Sequence, residues 1–263
     1  MGISRKKNKK RTKTSLDTTM SLGDHLEELR SRLISAIIGL VIALVICLCF
    51  GKYIVAFIEK PFIDELGEEA RLQSIAPAEG IISYMKIGLI AGVILASPWI
   101  FYQLWRFIAA GLYPHEKRYV YKSIPFSAGL FVTGALFFIF VIAPKTLRFF
   151  VLFNERFLGV SSNFTFSNYI TFIGMLALIF GFAFQTPIVI FVLHKTGLVS
   201  ITDFRKFRKY VIFGIIVVAS AVIPGSDPFS LFALVIPMVL LYELGILLSS
   251  LSERKKKSND AAE

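Results

Sequence analysis

The stretch Leu33-Ile34-Ser35-Ala36-Ile37-Ile38-Gly39-Leu40-Val41-Ile42-Ala43-Leu44-Val45-Ile46-Cys47-Leu48-Cys49-Phe50 carries no charged side chain. An uncharged run of this length reads as a transmembrane helix, since a bilayer solvates continuous apolar surface that water does not. The run can extend to Ile58. Beyond it the pattern recurs over about Ile87–Trp105, Tyr119–Ile142, Ile170–Leu193, Val211–Ile223 and Phe229–Tyr242. Only Pro224-Gly225-Ser226-Asp227-Pro228 separates the last two runs, and such a segment breaks a helix into a tight hairpin. Six spans are expected, or five if the last two runs are re-entrant.

Composition agrees. The chain has 263 residues, 55% of them hydrophobic, with a mean hydropathy of +0.68. A soluble domain of this size cannot hide so much apolar surface in one core. The expected fold is an all-α membrane protein, with residues 21–250 forming six transmembrane helices. Residues 1–20 and 251–263 read as charged, disordered tails. Pro98, Pro125, Pro187 and Pro237 lie inside apolar runs and should kink them, which favours a cupped bundle. The last two helices are expected to be unusually short, because thirteen or fourteen residues reach only ~20 Å against a hydrocarbon core of ~30 Å. Glu243 closes the uncharged part of the sixth run early. Short spans thin the bilayer or pack within an assembly; alternatively Lys209, Tyr210 and Ser249 extend them by snorkelling.

The net charge of +11 is placed for topology rather than for nucleic acid. With the N-terminus inside, segments 1–32, 106–122, 195–210 and 251–263 hold 22 of the 29 Lys and Arg residues. Both termini are therefore expected in the cytoplasm. The basic tails lack the aromatic and glycine interleaving of RNA-binding segments and suit anionic lipid. The N-terminal region is too basic and too long for a cleavable signal peptide, so the first span is expected to stay in the mature protein. Cys47 and Cys49 stand two apart on a helix and do not face each other.

No hydrolytic, metal-binding or phosphate-binding motif is present. His25, His115 and His194 fall near helix ends rather than together, so neither catalysis nor a cofactor is expected. The segment Ser21–Leu33 has leucines at 22, 26, 29 and 33, an apolar stripe that makes an amphipathic helix entering the first span. Glu27, Glu28, Arg30 and Arg32 project from its polar side. From spacing alone, the simplest reading of Glu28 is an ion pair with Arg32 at i,i+4. Glu116, in Leu112-Tyr113-Pro114-His115-Glu116-Lys117-Arg118, reads most simply as a helix N-terminal acid. Together the two acids offer carboxylates beside the membrane on a basic face, and carboxylates bind guanidinium by paired, charge-assisted hydrogen bonds. Within the fourth run, Gln185 needs a partner: another helix, a cavity, or a carbonyl freed by Pro187.

At these residues the chain strongly resembles the TatC family, the multi-spanning receptor subunit of the twin-arginine protein translocase. The runs His25-Leu26-Glu27-Glu28-Leu29-Arg30-Ser31-Arg32-Leu33 and Phe101–Ala109 with Gly111–Arg118 carry the resemblance most specifically. Phe184-Gln185-Thr186-Pro187, and Ile236-Pro237-Met238 with Tyr242-Glu243-Leu244-Gly245, follow in the family's order. The resemblance implies a receptor in the bacterial cytoplasmic (inner) membrane, binding twin-arginine signal peptides of folded cargo and assembling with single-span TatA and TatB subunits as a hetero-oligomer, with self-association as a homo-oligomer the further alternative. It implies a signal-peptide site at Glu28, Arg30, Phe107 and Glu116. Gln185 matches the family's membrane-embedded Glu or Gln, and Ser220 remains of a polar partner-contact patch. Pro61 and Asp227 match outer-loop positions. The chain departs from the family pattern at Ile223-Pro224, Leu231 and Val132, which touches partner contacts rather than membership. A small secondary transporter is the alternative, but neither internal repeats nor midplane charges support it.

Overall fold

The computed structural model describes residues 22–67, 72–222 and 228–260. The basic N-terminal tail, residues 223–227 with Asp227, where a hairpin is expected, and the last three residues lie outside the described residues. The described chain is helical, and its one β-type contact is an isolated parallel bridge between Gln73 and Thr165.

The first apolar run lies in α1 (Leu22–Cys49) and bends at Phe50 into α2 (Gly51–Leu66). At the bend the Tyr84 hydroxyl donates to the Leu48 carbonyl at 2.6 Å, and the Tyr84 ring fills the space a Cβ on Gly51 would need. The next helix, α3 (Glu79–Ala110), returns antiparallel to α1. Its partner, α4 (Pro114–Phe137), continues through a π-helical turn at Phe138–Ile142 into α5 (Ala143–Phe153) and a second π turn at Asn154–Leu158. Pro144 sits in the first turn of α5 and brings no N–H, so the ladder loosens where a donor is missing. The run stops at Gly159, whose φ of 64° is left-handed.

The fourth run divides into α6 (Phe166–Ala183) and α7 (Thr186–Lys195). Pro187 stands in the first turn of α7, where its missing N–H is harmless, and leaves α6 without a continuing donor. Two more helices follow, α8 (Ile201–Val222) and α9 (Pro228–Asp260).

Among the described residues, 5 helical stretches are long and apolar enough to cross a membrane: Gly23–Cys49, Glu79–Ala110, Glu116–Leu158, Phe166–Lys195 and Leu231–Glu253. The helix α8 is apolar only beyond Tyr210, because Asp203, Arg205, Lys206, Arg208 and Lys209 occupy its first turns. The expectation that the last helix is unusually short fails. It runs for 33 residues, of which Leu231–Glu253 supplies 23 of spanning character. The physical reason is that Glu243 does not end it: Arg208 of α8 holds that carboxylate through Nε to Oε1 at 2.6 Å and Nη2 to Oε2 at 2.8 Å. With its charge matched by a neighbour, the helix passes straight through. The third span also outruns its expected end at Ile142.

The core gathers around α6, the most buried span, where Ile170, Ile173 and Phe180 meet Ile87, Phe138 and Leu234. By contrast α1 is the least buried span and rests on α3 along a tight seam. Trp99 packs into the space beside Gly39, Leu48 beside Gly88, and the backbone of Leu44 lies 3.1 Å from where a Cβ on Gly92 would stand. The Trp99 indole N–H donates to the Ser35 carbonyl at 2.9 Å, fixing the register. An apolar groove of about 510 Å³ opens between α1–α2 and the α3, α4 and α6 surfaces, lined by Phe50, Ile54, Ile94, Ile139 and Ile173 among others.

At the end of the bundle where α3 begins, two connecting segments are fastened together. Gln73 N–H donates to the Phe164 carbonyl at 2.9 Å and the Phe166 N–H returns to Gln73 at 2.8 Å. The buried Glu79 carboxylate accepts Ser167 N–H on Oε1 at 2.9 Å, and on Oε2 it accepts Ile75 N–H at 2.7 Å and Ala76 N–H at 3.2 Å.

Candidate functional site

Because α1 and α3 are antiparallel, the first turns of α1 lie beside the last turns of α3 and the corner Gly111-Leu112-Tyr113 that leads into α4. The His25 ring stacks on Phe107 with centroids 4.5 Å apart. Gly111 sits under the same imidazole, where an added Cβ would stand 3.5 Å from Cε1. One turn further along α1, Glu28 meets Arg32. Arg32 Nε and Nη2 both approach Glu28 Oε1 at 2.7 Å. Arg32 Nη1 also donates across to Gln103 Oε1 on α3 at 3.2 Å. Glu28 Oε2 accepts no hydrogen bond from any described residue. The pair is partly shielded, with side chains 26% and 21% exposed, so it is worth about 1 kcal/mol rather than the larger value of a buried pair.

Glu116 is the third residue of α4, after Pro114 at the first position, and its Oε2 accepts the Tyr113 N–H at 3.3 Å. A carboxylate there complements the positive end of the helix dipole. Arg106 leans onto Tyr102, 5.5 Å over the ring and 3.1 Å from its hydroxyl. Arg30 is exposed on α1. The structure therefore brings Glu28, Phe107 and Glu116 to one end of the α1–α3–α4 unit. It engages both acids in the local contacts that spacing suggested, and Arg32 rather than Arg30 is the arginine held at the Glu28 carboxylate.

Gln185 occupies the break between α6 and α7 and is buried. Its Nε2 donates to the Ser127 carbonyl of α4 at 2.9 Å, while Ser127 Oγ accepts the Trp105 indole N–H at 2.7 Å. The amide thus reaches another helix and not the carbonyl freed by Pro187. Ser220 donates to Ile216 of its own helix at 2.9 Å. Pro61 is buried inside α2 next to Phe62, which packs edge-on against Phe164 and Tyr169. Sequence reading did not single out Gln103, and the signal was available: an amide one helical turn before Phe107 in an otherwise apolar stretch needs a partner.

These features define a class: a polytopic helical membrane protein whose polar side chains gather at helix ends. Among the described residues no group of His, Cys, Asp and Glu could hold a metal ion. The comparisons with known proteins supply the family. Residues 24–237 match the family model TatC, described as Sec-independent protein translocase protein. The chain is similar to the Sec-independent protein translocase protein TatC of Aquifex aeolicus, 38% identical over 90% of this chain and 98% of that one. It is similar to the Helicobacter pylori protein of the same name at 32% identity, over 91% of this chain and 92% of that one. A crystal structure titled twin arginine translocase receptor TatC superposes with a TM-score of 0.78 at 37% identity, covering 87% of this chain and 99% of that one. The chain belongs to the TatC family, a protein translocase component and not an enzyme. Membership displaces the secondary-transporter alternative.

Proposed function

We propose that the chain is the receptor and core subunit of a twin-arginine translocation system, and that the α1–α3–α4 end receives the arginine pair of a signal peptide. The observation that carries this reading is the Glu28 carboxylate: partly shielded, with Oε2 accepting nothing from the described residues, on the same end of the unit as Glu116. Each acid suits a guanidinium, which binds carboxylate through forked, charge-assisted hydrogen bonds. Phe107, stacked on His25, offers an aromatic surface beside them, and Arg30 flanks the site from the exposed side of α1. In this reading the basic end faces the cytoplasm, six helices span the inner membrane with α8 as the fifth and α9 as the sixth, and proline bends shape a cupped bundle whose inner wall includes the apolar groove. The segments 1–20 and 251–263 act as basic and charged tails around a 21–250 core. Gln185 and Ser220 face TatA- or TatB-type partner helices or brace the surface that does, while Pro61 and Asp227 shape the opposite side. Membrane lipid is the remaining partner; nucleic acid is not.

The experiment is a binding series on the purified chain in lipid nanodiscs, using a synthetic peptide with paired arginines ahead of an apolar stretch. Glu28→Gln or Glu116→Gln should each cost roughly 1.5–3 kcal/mol of affinity if the acid is shielded on binding, and less if water reaches it. Unchanged affinity after both acids are neutralised together ends the reading.

A further inference from the structure

Lys86 is a cation near the edge of the apolar layer that pairs with no carboxylate of a described residue. With the 32-residue α3 centred in a bilayer, Lys86 lies about 13 Å along the helix from its midpoint, close to the ~15 Å half-thickness of the hydrocarbon core. The side chain is half-buried against α6. Its Nζ donates to Thr171 Oγ1 at 3.0 Å and, more loosely, to Ser167 Oγ at 3.4 Å. Glu79, the acid that also touches Ser167, spends its two oxygens on the N–H groups of Ser167, Ile75 and Ala76. Hydroxyls solvate an ammonium without neutralising it, and an ionised group at this depth is costly unless an anion stands beside it.

We propose that the α3–α6 seam at Lys86 is a headgroup site for an anionic phospholipid. A phosphate is the anion that every bilayer offers at this depth, and an ammonium binds it through charge-assisted hydrogen bonds. Lys86 has three N–H donors and spends two on the hydroxyls of α6. Thr171 gives its own hydroxyl hydrogen to the Ser167 carbonyl at 2.7 Å. The Ser167 hydroxyl donates to no described residue, so it serves a second phosphate oxygen. One turn deeper on the same side of each helix the surface turns apolar and outward-facing. Leu89, three residues beyond Lys86, is 50% exposed, and Met175, four beyond Thr171, is 44% exposed. Acyl chains leaving a headgroup at Lys86 run over this strip.

Charge decides the class of lipid. A headgroup with a net negative charge neutralises Lys86, whereas a zwitterionic one brings a second cation to the same place. Basic positions between membrane helices hold anionic headgroups in this way. The site needs only that α3 and α6 cross the membrane, and it stands whether or not the peptide-binding reading does.

The test is native mass spectrometry of the intact chain, released from detergent micelles and titrated with phosphatidylglycerol or with phosphatidylcholine. The wild type should hold phosphatidylglycerol more tightly. Lys86→Gln should lower that affinity about five- to tenfold and the phosphatidylcholine affinity by less. Lys86→Arg should retain the preference, and the double change Ser167→Ala with Thr171→Val should weaken it by a smaller factor than Lys86→Gln. Thermal unfolding checks each variant, and the Lys86→Arg and double variants decide the matter if Lys86→Gln does not fold. Lys52→Gln removes one exposed lysine from the start of α2, at the same end of the bundle, and should change nothing. An equal fall in Lys52→Gln and Lys86→Gln means diffuse attraction and overturns the proposal. Displacement of the lipid by excess inorganic phosphate makes this a free-anion site and also overturns it. So does a wild type without preference between the two lipids, which leaves Lys86 to an acidic side chain of a partner helix.

Discussion

Glu79 fastens the two connecting segments at the end of the bundle where α3 begins, and its removal should loosen them in a specific order. Oε1 serves only the Ser167 N–H at 2.9 Å, whereas Oε2 serves Ile75 N–H at 2.7 Å, Ala76 N–H at 3.2 Å and the Ser74 hydroxyl at 3.4 Å. Glu79→Ala strands three backbone donors. At about 1 kcal/mol net for each hydrogen bond the loss approaches ~3 kcal/mol, and water entering the part-buried segments brings it to about 2 kcal/mol. That corresponds to roughly thirtyfold faster amide exchange, each 1.4 kcal/mol being tenfold. Glu79→Gln behaves differently. Its one carbonyl oxygen keeps the side with three donors, which turns the NH2 group against the Ser167 N–H. Exchange should then rise at Ser167 and stay near wild type at Ile75 and Ala76. Hydrogen–deuterium exchange on the protein in nanodiscs, read over 72–80 and 159–170, resolves the two segments. If Ser167 exchanges at the wild-type rate in both variants, the carboxylate is not the fastener and the reasoning fails.

Gln185→Leu should change thermal stability by less than about 1 kcal/mol, since single interhelical hydrogen bonds in lipid average ~0.6 kcal/mol; a larger loss would show that the Gln185–Ser127–Trp105 chain holds the fold. Burial pushes the Glu59 carboxyl of α2 above its ordinary value. The folded chain therefore holds that proton more readily than the unfolded one, and the stability this gives is complete in acid and lost as pH rises through the raised value. Glu59→Gln should accordingly be the more stable form at neutral pH by a fraction of ~1 kcal/mol, since the group is only partly buried and water still reaches it, with the difference gone near pH ~4. Thermal unfolding at the two pH values checks both sign and window. Breaking the Arg208–Glu243 pair with Arg208→Ala should cost more than the double change to Ala and Gln, because the single variant leaves the carboxylate of α9 without its cation; equal losses would mean the pair is solvated. The proposed orientation puts both termini in the cytoplasm, so a cysteine placed at Ser258 should label only from inside, and outside labelling would reverse the topology.

Period and charge made the spans readable because lipid imposes the same demand on each one: about twenty residues without a charge. That demand explains the accurate reading of Leu33–Phe50 and the misjudged end at Glu243. A carboxylate stops a lipid-facing helix only when it lacks a partner, and Arg208 lies 35 positions earlier on another helix. Locality also decided what could be read of the site. Glu28 with Arg32, and Glu116 at the start of α4, are contacts within a single turn, so spacing reached them. Gln103 stands 71 residues from Arg32 and Ser167 stands 88 from Glu79. Such pairs exist only once α3 has been set against α1 and α6, a matter of register that residue types alone do not carry.

In the receptor reading proposed above, the α1–α3 seam gives recognition a remote adjustment. At Gly92 the neighbour across the seam is the Leu44 backbone, its Cα at 3.1 Å and N at 3.2 Å from the position of an added Cβ, and backbone cannot turn aside as a side-chain tip does. Any bulk added there tilts or rolls α1 as a stiff rod, and the displacement emerges ~16 Å away, the rise of the eleven residues from Gly92 to Gln103. The aim of the Glu28 carboxylate is thus calibrated deep in the apolar layer by a residue with no side chain. A graded series at Gly92 would sweep the acid across its proposed target while leaving every residue of the proposed site chemically intact.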